Sequence, residues 1–229
     1  MKPIQPDLKF DERTHTYTWI GRVVPSVTQV LSNVGVRIRE AVLDNDNIYY
    51  KGEWVPVGFD DRWLQDDTAA QFGSAFHKVA AGILEEKKVG YPDEMEGWVE
   101  SFRRFIAEFN GLDIVDIDRI RLVECPLYSE KYGYCGTFDA IGKTKDGKGY
   151  MIYDWKTGTG KESFWPLQLA AYAQLASEYF GFCNIEGTVV RFSESGYKIF
   201  PVLGKYNEYG LEFQRFNSCL NVYKMVRED

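Results

Sequence analysis

The stretch "YMIYDWKT", residues 150–157, decides how this chain is read. Gly149 precedes it and "GTG", residues 158–160, follows it. A short apolar run with that punctuation is the pattern of a buried strand. Strand side chains alternate between faces, so Ile152, Asp154 and Lys156 point one way and Tyr153, Trp155 and Thr157 the other. A buried strand does not carry an acid and an ammonium on one face unless partners satisfy both.

One partner is legible upstream. In "GTFDAIG", residues 136–142, alternation places Thr137, Asp139 and Ile141 on one face. The polar link "KTKDGKG", residues 143–149, suits a hairpin turn. If the two strands pair antiparallel, Asp139 can lie across from Asp154. Two carboxylates about 5 Å apart repel by roughly 3 kcal/mol at an effective dielectric near 20. A positive charge must offset this, or one acid must hold a proton. Lys156 lies roughly 6.7 Å along the strand from Asp154, within reach of the same space. A divalent cation would supply the remaining charge, and carboxylate oxygens suit Mg2+ or Mn2+.

Around this pair the chain divides into recognisable elements. "KFDERTHTYTWIGRVVPS", residues 9–26, alternates like a hairpin that turns at Gly21. Ser26 to Gln29 has the capping-box spacing, so a helix starts there. Residues 42–67 are aromatic, acidic and irregular, and read as a long excursion. Thr68 to Gln71 repeats the capping-box pattern and opens a helix that runs to near Gly90. Phe72, Phe76, Val79 and Ile83 form its apolar stripe, with His77 beside it. Residues 96–110 make a second helix with Trp98, Phe102, Phe105 and Phe109 on one face. Strands follow at 120–129, 133–143 and 150–157, then a helix at about 164–179 with Pro166 in its first turn, where proline is tolerated. Strands at 186–195 and 197–202 and an amphipathic helix at about 208–226 complete the chain. The core order of helix, three strands, helix, strand predicts an α/β fold with a mixed central sheet flanked by helices. We expect a single domain over 1–229. It comprises N-terminal additions at 1–67, a core at 68–202 and a C-terminal helix at 203–229.

Composition narrows the function classes. Hydrophobic residues make up 45% of the 229, and charged residues 27%, which is the composition of a folded chain with a large core. No apolar run approaches the roughly 18 residues that span a bilayer. The first residues resemble neither a secretory signal nor a transit peptide, which predicts a cytoplasmic protein without a membrane partner. Four cysteines, with no C-x-x-C pair, and only two histidines disfavour a zinc site. The cysteines read as buried free thiols. A formal net charge of −7 argues against broad non-specific adhesion to nucleic acid or anionic lipid, but not against a local basic groove.

Taken singly, each marker has a plain structural reading. A D-x-K triplet can be an exposed strand edge with an ion pair. A helical histidine can be a packing residue, and Gln168 with Tyr172 are i,i+4 neighbours on one helix face. The joint order is what matters. "GSAFH", "VECPLY" with "YCGTFDAIG", "YDWKTG" and "QLAAY" together resemble the PD-(D/E)XK nuclease superfamily. Within it the set is most similar to the RecB-like exonuclease branch of phage and prophage exonucleases and mitochondrial genome maintenance exonuclease. "YTWIGRVVPSVTQVLS" also looks like the start of such phage-type members, so the likeness runs from about Tyr17 to Phe192.

The resemblance implies a restriction-endonuclease-like core and metal-dependent exonuclease activity on DNA with an end, single- or double-stranded. The setting would be recombination, repair or replication in a bacterial or phage-infected cell, with a single-strand annealing protein as a candidate partner. It implies His77 as a metal ligand or a close neighbour of one, and Asp139 as the first acid. Phe138 precedes that acid where the signature has proline, a departure shared by many RecB-like members. Asp154 would bind metal, with the Trp155 backbone carbonyl as a further ligand. Lys156 would hold the attacking water and the phosphate. Gln168 and Tyr172 are expected near the scissile phosphate or supporting Lys156, and Glu124 as either a structural carboxylate or a direct participant. Some relatives carry an iron–sulfur cluster with one cysteine before the core and three clustered after it. That pattern is missing here, so no cluster is expected. Trp54, Trp63 and Trp165 could stack on unpaired bases or simply pack. Arg37 and Arg39 could meet backbone phosphate or form a solvated face.

Overall fold

Alternation in the N-terminal third builds a small sheet before any helix appears. In a computed structural model, β1 (Leu8–Asp11), β2 (Thr16–Trp19) and β3 (Arg22–Val24) form a three-stranded antiparallel sheet. The expected hairpin is thus two hairpins. Ile20 and Gly21 both have positive φ, 47° and 75°, between the paired residues Trp19 and Arg22. That is the two-residue turn whose twist suits flanking strands, and glycine takes one of its left-handed positions at no steric cost. The structure describes residues 5–11, 14–40, 47–50, 53–56, 67–118, 120–158, 162–204 and 208–227. It gives backbone alone for 34–40, 47–50, 53–56, 67–70, 110, 111, 162, 208 and 227.

Helix α1 (Val27–Glu40) opens with the expected reciprocal cap. Gln29 N donates to Ser26 Oγ at 3.2 Å, and Ser26 N donates to Gln29 Oε1 at 3.1 Å. The excursion at 42–67 is not wholly irregular, since β4 (Asn47–Tyr50) and β5 (Glu53–Pro56) pair as a hairpin within it. Helix α2 (Asp67–Leu84) starts where expected but stops six residues before Gly90. Glu86 takes a left-handed φ of 57°, with Lys87 N bonded to Gly82 O at 2.8 Å and Glu86 N to Ile83 O at 3.0 Å. This ends the helix in the manner usually served by glycine. The side chains of the second expected cap, at Thr68, lie outside the described residues.

Helix α3 (Glu96–Glu108) leads through β6 (Asp116–Ile117) and β7 (Ile120–Arg121), a short antiparallel pair, into the main sheet. Its strands are β8 (Val123–Ser129), β9 (Tyr134–Lys143) and β10 (Tyr150–Lys156), followed by α4 (Trp165–Phe180), β11 (Ile185–Ser193) and β12 (Gly196–Leu203). Helix α5 (Glu208–Arg227) closes the chain. The sheet order is β12-β11-β10-β9-β8, with β10 and β11 parallel and the other neighbours antiparallel. The α4 crossover is what lets β11 return parallel to β10. The fold is therefore mixed α/β, a five-stranded mixed sheet flanked by helices. No helix among the described residues is long and apolar enough to cross a membrane.

The two faces of β10 enter different cores, as alternation predicts. Ile152 joins Ile141, Val189 and Leu127 beneath α1, α4 and α5. Tyr153 and Trp155 join Phe76, Phe102, Phe105 and Phe192 beneath α2 and α3. In that second core Phe102 and Phe105 meet the Trp155 ring edge-on at 5.4 and 5.9 Å, the arrangement aromatic quadrupoles favour. Burying Phe213, Phe216, Leu220 and Tyr223 gives α5 its inward stripe. The cysteines are free, with Cys125 and Cys135 buried as expected but Cys183 exposed.

Candidate metal and catalytic site

The β9–β10 ladder runs regularly from Tyr150 opposite Lys143 to Tyr153 opposite Ala140, and ends there. On the other side, Val123 is opposite Ala140, and the next pair is Cys125 with Phe138. Continuing both registers by one step aligns Asp154, Asp139 and Glu124 in one row across three strands. At that row ladder pairing lapses. Glu124 has φ 47°, a conformation rare for a residue with a side chain. Such an outlier persists only where its surroundings enforce it, and these cluster at functional sites. The Asp139 carboxylate fills the gap in the ladder: Trp155 N donates to Asp139 Oδ2 at 2.5 Å. So the Trp155 backbone enters the site through its N–H, a contact that alternation alone could not reveal.

Helix α2 brings His77 over this row. Its Nδ1 lies 3.0 Å from Asp139 Oδ1 and 3.5 Å from Glu124 Oε1. His77, Glu124 and Asp139 each offer a ligand atom within 4.8 Å of the others, the spacing of a metal-binding cluster. Glu124 therefore joins the site directly, where the sequence left its role open.

On the other flank Lys156 Nζ is in ion-pair contact with Asp154 Oδ2 at 2.5 Å. Gln168 Nε2 donates to Asp154 Oδ1 at 3.0 Å and to Tyr172 Oη at 3.2 Å. The Gln168–Tyr172 pair thus buttresses Asp154, whose other oxygen holds Lys156. Tyr172 is 4% exposed, and a methyl group at Gly136 would sit 2.6 Å from its ring, so only glycine lets that ring lie against β9. A further neighbour not foreseen from sequence is Tyr17, whose hydroxyl hydrogen-bonds Thr137 Oγ1 at 2.7 Å and ties the N-terminal sheet to β9.

Burial and charge act on these groups together. Asp154 is 2% exposed; burial raises its pKa, Lys156 pulls it back and Asp139 adds to the rise. Burial likewise pushes Glu124 up to about 7, with His77 opposing and Asp139 and Asp154 reinforcing. For Lys156, burial alone would lower the pKa, yet Asp154 and Asp139 outweigh it and hold the ammonium above its usual value. His77 follows the same logic, with burial overcome by Asp139 and Glu124, which raise its pKa well above the usual imidazole value. The site is a crowd of three acids, Glu124, Asp139 and Asp154, held by one lysine and one histidine. Glu124 Oε1 and Asp154 Oδ2 are buried carboxylate oxygens that meet charged neighbours, His77 Nδ1 at 3.5 Å and Lys156 Nζ at 2.5 Å. Buried acceptors of that kind are costly unless such neighbours satisfy them.

The remaining candidates fall elsewhere. Trp165 is 4% exposed and packs edge-on against Phe200 at 5.2 Å. Its ring is not open to a stacked base, contrary to one expectation. Trp54 lies on β5 opposite Tyr49, and Arg37 and Arg39 lie in the last turns of α1. Their side chains are outside the described residues, as is Trp63 entirely.

No protein family matches this sequence, and no curated protein matches it. Among solved structures, the crystal structure of SSO0001 is similar at 13% identity with a TM-score of 0.30, covering 58% of this chain and 61% of that one. The match thus spans less than two thirds of that protein, and a likeness at this level carries no argument about function.

Proposed function

We propose that the chain is a metal-dependent deoxyribonuclease of the RecB-like PD-(D/E)XK type, with a restriction-endonuclease-like core, acting on DNA from an end. One observation carries the reading: the acids of three adjacent strands, a helical histidine and the lysine of the D-x-K triplet converge on one small volume. A structural ion pair needs two partners. This cluster holds five ionisable groups, with the buried oxygens Glu124 Oε1 and Asp154 Oδ2 in ion-pair contact with His77 and Lys156.

Those oxygens, with Asp139 and His77, are the donor set for Mg2+ or Mn2+. Such an ion, when bound, polarises a phosphoryl oxygen and acidifies water. The chain's own residues do the rest. Asp139 is locked by the Trp155 N–H, and Asp154 by Gln168, so both carboxylates are oriented before substrate arrives. Lys156 keeps its ammonium beside them, placed to meet the negative charge that grows on the phosphoryl oxygens. A fixed cation of this kind commonly contributes a factor of about a hundred to a thousand in rate. His77, neutral when a cation replaces its proton, completes the pocket from α2.

The test uses end-labelled single-stranded DNA, end-labelled duplex and closed circular DNA, each with Mg2+, Mn2+ or EDTA. Metal-dependent release of short products from the linear substrates is expected, with Lys156→Ala slower by about a hundredfold or more. Lys156→Ala digesting DNA at the parent rate would overturn the assignment. Cleavage of the closed circle would make the enzyme an endonuclease, and binding without product a catalytically silent DNA-binding module.

A further inference from the structure

The N-terminal sheet meets the main sheet close to the acid row. Tyr17 sits on its middle strand β2, opposite Phe10 on β1 and Val24 on β3. With Leu8, Val24 and Cys135 of β9 it makes a small core separate from the two larger ones. Its hydroxyl hydrogen-bonds Thr137 Oγ1 at 2.7 Å, across 120 residues of chain. Thr137 lies two residues before Asp139 and is directly opposite Pro126, which lies two residues after Glu124. The contact is therefore equally near to both acids along their strands. Between them Glu124 holds its left-handed φ of 47°, a conformation that persists only where the surroundings enforce it.

Two features separate this contact from ordinary packing. The sheet has other attachments that do not involve the Tyr17 hydroxyl. Tyr128 N donates to Gln5 Oε1 at 2.6 Å, and Gln5 Nε2 donates to Tyr128 O at 3.2 Å. Cys135 N donates to Pro25 O at 2.9 Å, and Trp19 stacks on Tyr128 with ring centres 4.8 Å apart. Removing one hydroxyl leaves all of these in place. The phenol also feels the site electrostatically. Burial pushes the Tyr17 pKa up to about 12, with Thr137 opposing and Cys135 and Glu124 reinforcing. The hydroxyl thus keeps its proton across the neutral range. Tyr172, raised chiefly by burial and Asp154, is raised by Tyr17 as well. Tyr17 therefore stands within reach of Glu124 on one flank of the row and of Tyr172 on the other.

We propose that Tyr17 is a positioning residue of the metal site: through Thr137 its hydroxyl fixes the stretch of β8 and β9 that aims Glu124 and Asp139. Helix α2 restrains the same two acids from one side through His77. The hydroxyl pair restrains them from the other, so the N-terminal sheet is a working part of the site. Groups that orient metal ligands commonly change metal affinity or activity by about tenfold or more when removed. This inference rests on the metal-site reading under the proposed function, and its first readout needs no cleavage.

The test is calorimetric titration of Mn2+ into the full chain near pH 7, with melting temperature, kcat and KM on end-labelled DNA measured beside it. Tyr17→Phe keeps the ring and removes the hydroxyl. Thr137→Val keeps the shape and removes the partner, and Thr137→Ser keeps the partner. Tyr17→Phe and Thr137→Val should each bind Mn2+ about tenfold more weakly. The double variant should be no weaker than either single one, because both remove the same bond. Thr137→Ser should recover most of the affinity. At a fixed Mn2+ concentration kcat should fall with KM for DNA near that of the parent. If one single variant fails to fold, the other carries the comparison. Parent-like Mn2+ affinity in Tyr17→Phe and Thr137→Val would overturn the proposal. So would fully additive losses in the double variant, or a loss in Thr137→Ser as large as in Thr137→Val. Weakened Mn2+ binding in a chain that never cleaves DNA would leave the proposal standing and remove the nuclease reading. Cleavage by the parent, with Mn2+ affinity and rate unaltered in the variants, would do the reverse. A parent that neither binds Mn2+ nor cleaves DNA would remove both.

Discussion

The two ends of the β9–β10 ladder were built under the same rules and serve opposite ends. At the hairpin end every residue from Tyr150 to Tyr153 has its partner, and the Thr144 hydroxyl closes the turn through Gly149 N and Asp146 Oδ1. At the other end the β9–β10 pairing stops after Tyr153 and Ala140, and in the next row Asp154, Asp139 and Glu124 come level. Trp155 N finds Asp139 Oδ2 instead of a ladder carbonyl. The lesson is local. One side chain substituting for one backbone acceptor frees a row of carboxylates from the ladder and aims them at a shared volume. The cost is a left-handed Glu124 and a concentration of buried charge, both of which a sheet built for stability alone would avoid.

Breaking the open end should affect chemistry far more than folding. Asp154→Asn is expected to slow DNA hydrolysis by about a thousandfold, or ~4 kcal/mol in the barrier, with the circular dichroism spectrum retained; rate assays under single-turnover conditions check this. The reverse holds for the aromatic core behind the same strand. Phe102 is fully buried against Trp155, and Phe102→Ala should cost about 3 kcal/mol of stability in urea unfolding. The rate per folded molecule should remain near that of the parent.

A smaller effect concerns pH in the metal-free protein. Glu124 and Asp154 bind protons more tightly folded than unfolded, so their contribution is largest at low pH and fades as pH rises above the ordinary carboxylate range, toward about 7 for Glu124. His77 also has a raised pKa, so its contribution is full below about 6.5 and is lost as pH climbs through its folded value. All three act in the same direction. The melting temperature without metal should fall between pH 5 and 8, and Mn2+ should restore it most at the upper end, where the ligands are already deprotonated. Scanning calorimetry with and without Mn2+ decides it, and a metal effect that is the same at every pH would count against the cluster. The least effect belongs to the regular end. Lys145 rests over the Phe109 ring at 5.1 Å, and Lys145→Ala should change stability by no more than about 0.5 kcal/mol and leave cleavage untouched.

Much of this was legible in the residues. Alternation in "YMIYDWKT" assigned each side chain of β10 to its face. The polar glycine turn at 143–149 set the register that levels Asp139 with Asp154. The capping box at Ser26 was visible because its two side chains serve each other within four residues. What stayed hidden depends on breaks in periodicity. No spacing rule announces the left-handed Glu124 or the Asp139 bond to Trp155 N. The early stop of α2 at Leu84 hangs on Glu86 adopting a conformation that its residue type disfavours. The direct partner of Gln168 was hidden for a related reason. Its i,i+4 spacing with Tyr172 identified a shared helix face but not which of two charged neighbours that face would meet. Trp165 was hard to place because an aromatic at a helix start can pack or project, and only the approach of Phe200 and Arg191 from other strands fixes the choice.

The central claim is that the open row binds a divalent cation, and titration calorimetry of Mn2+ into the DNA-free protein tests it most directly. The account predicts saturable binding near pH 7 with proton release, seen as an enthalpy that varies with buffer, and its loss in Asp139→Asn. Equal Mn2+ binding by the parent and by Asp139→Asn, or no binding by the parent, would contradict it.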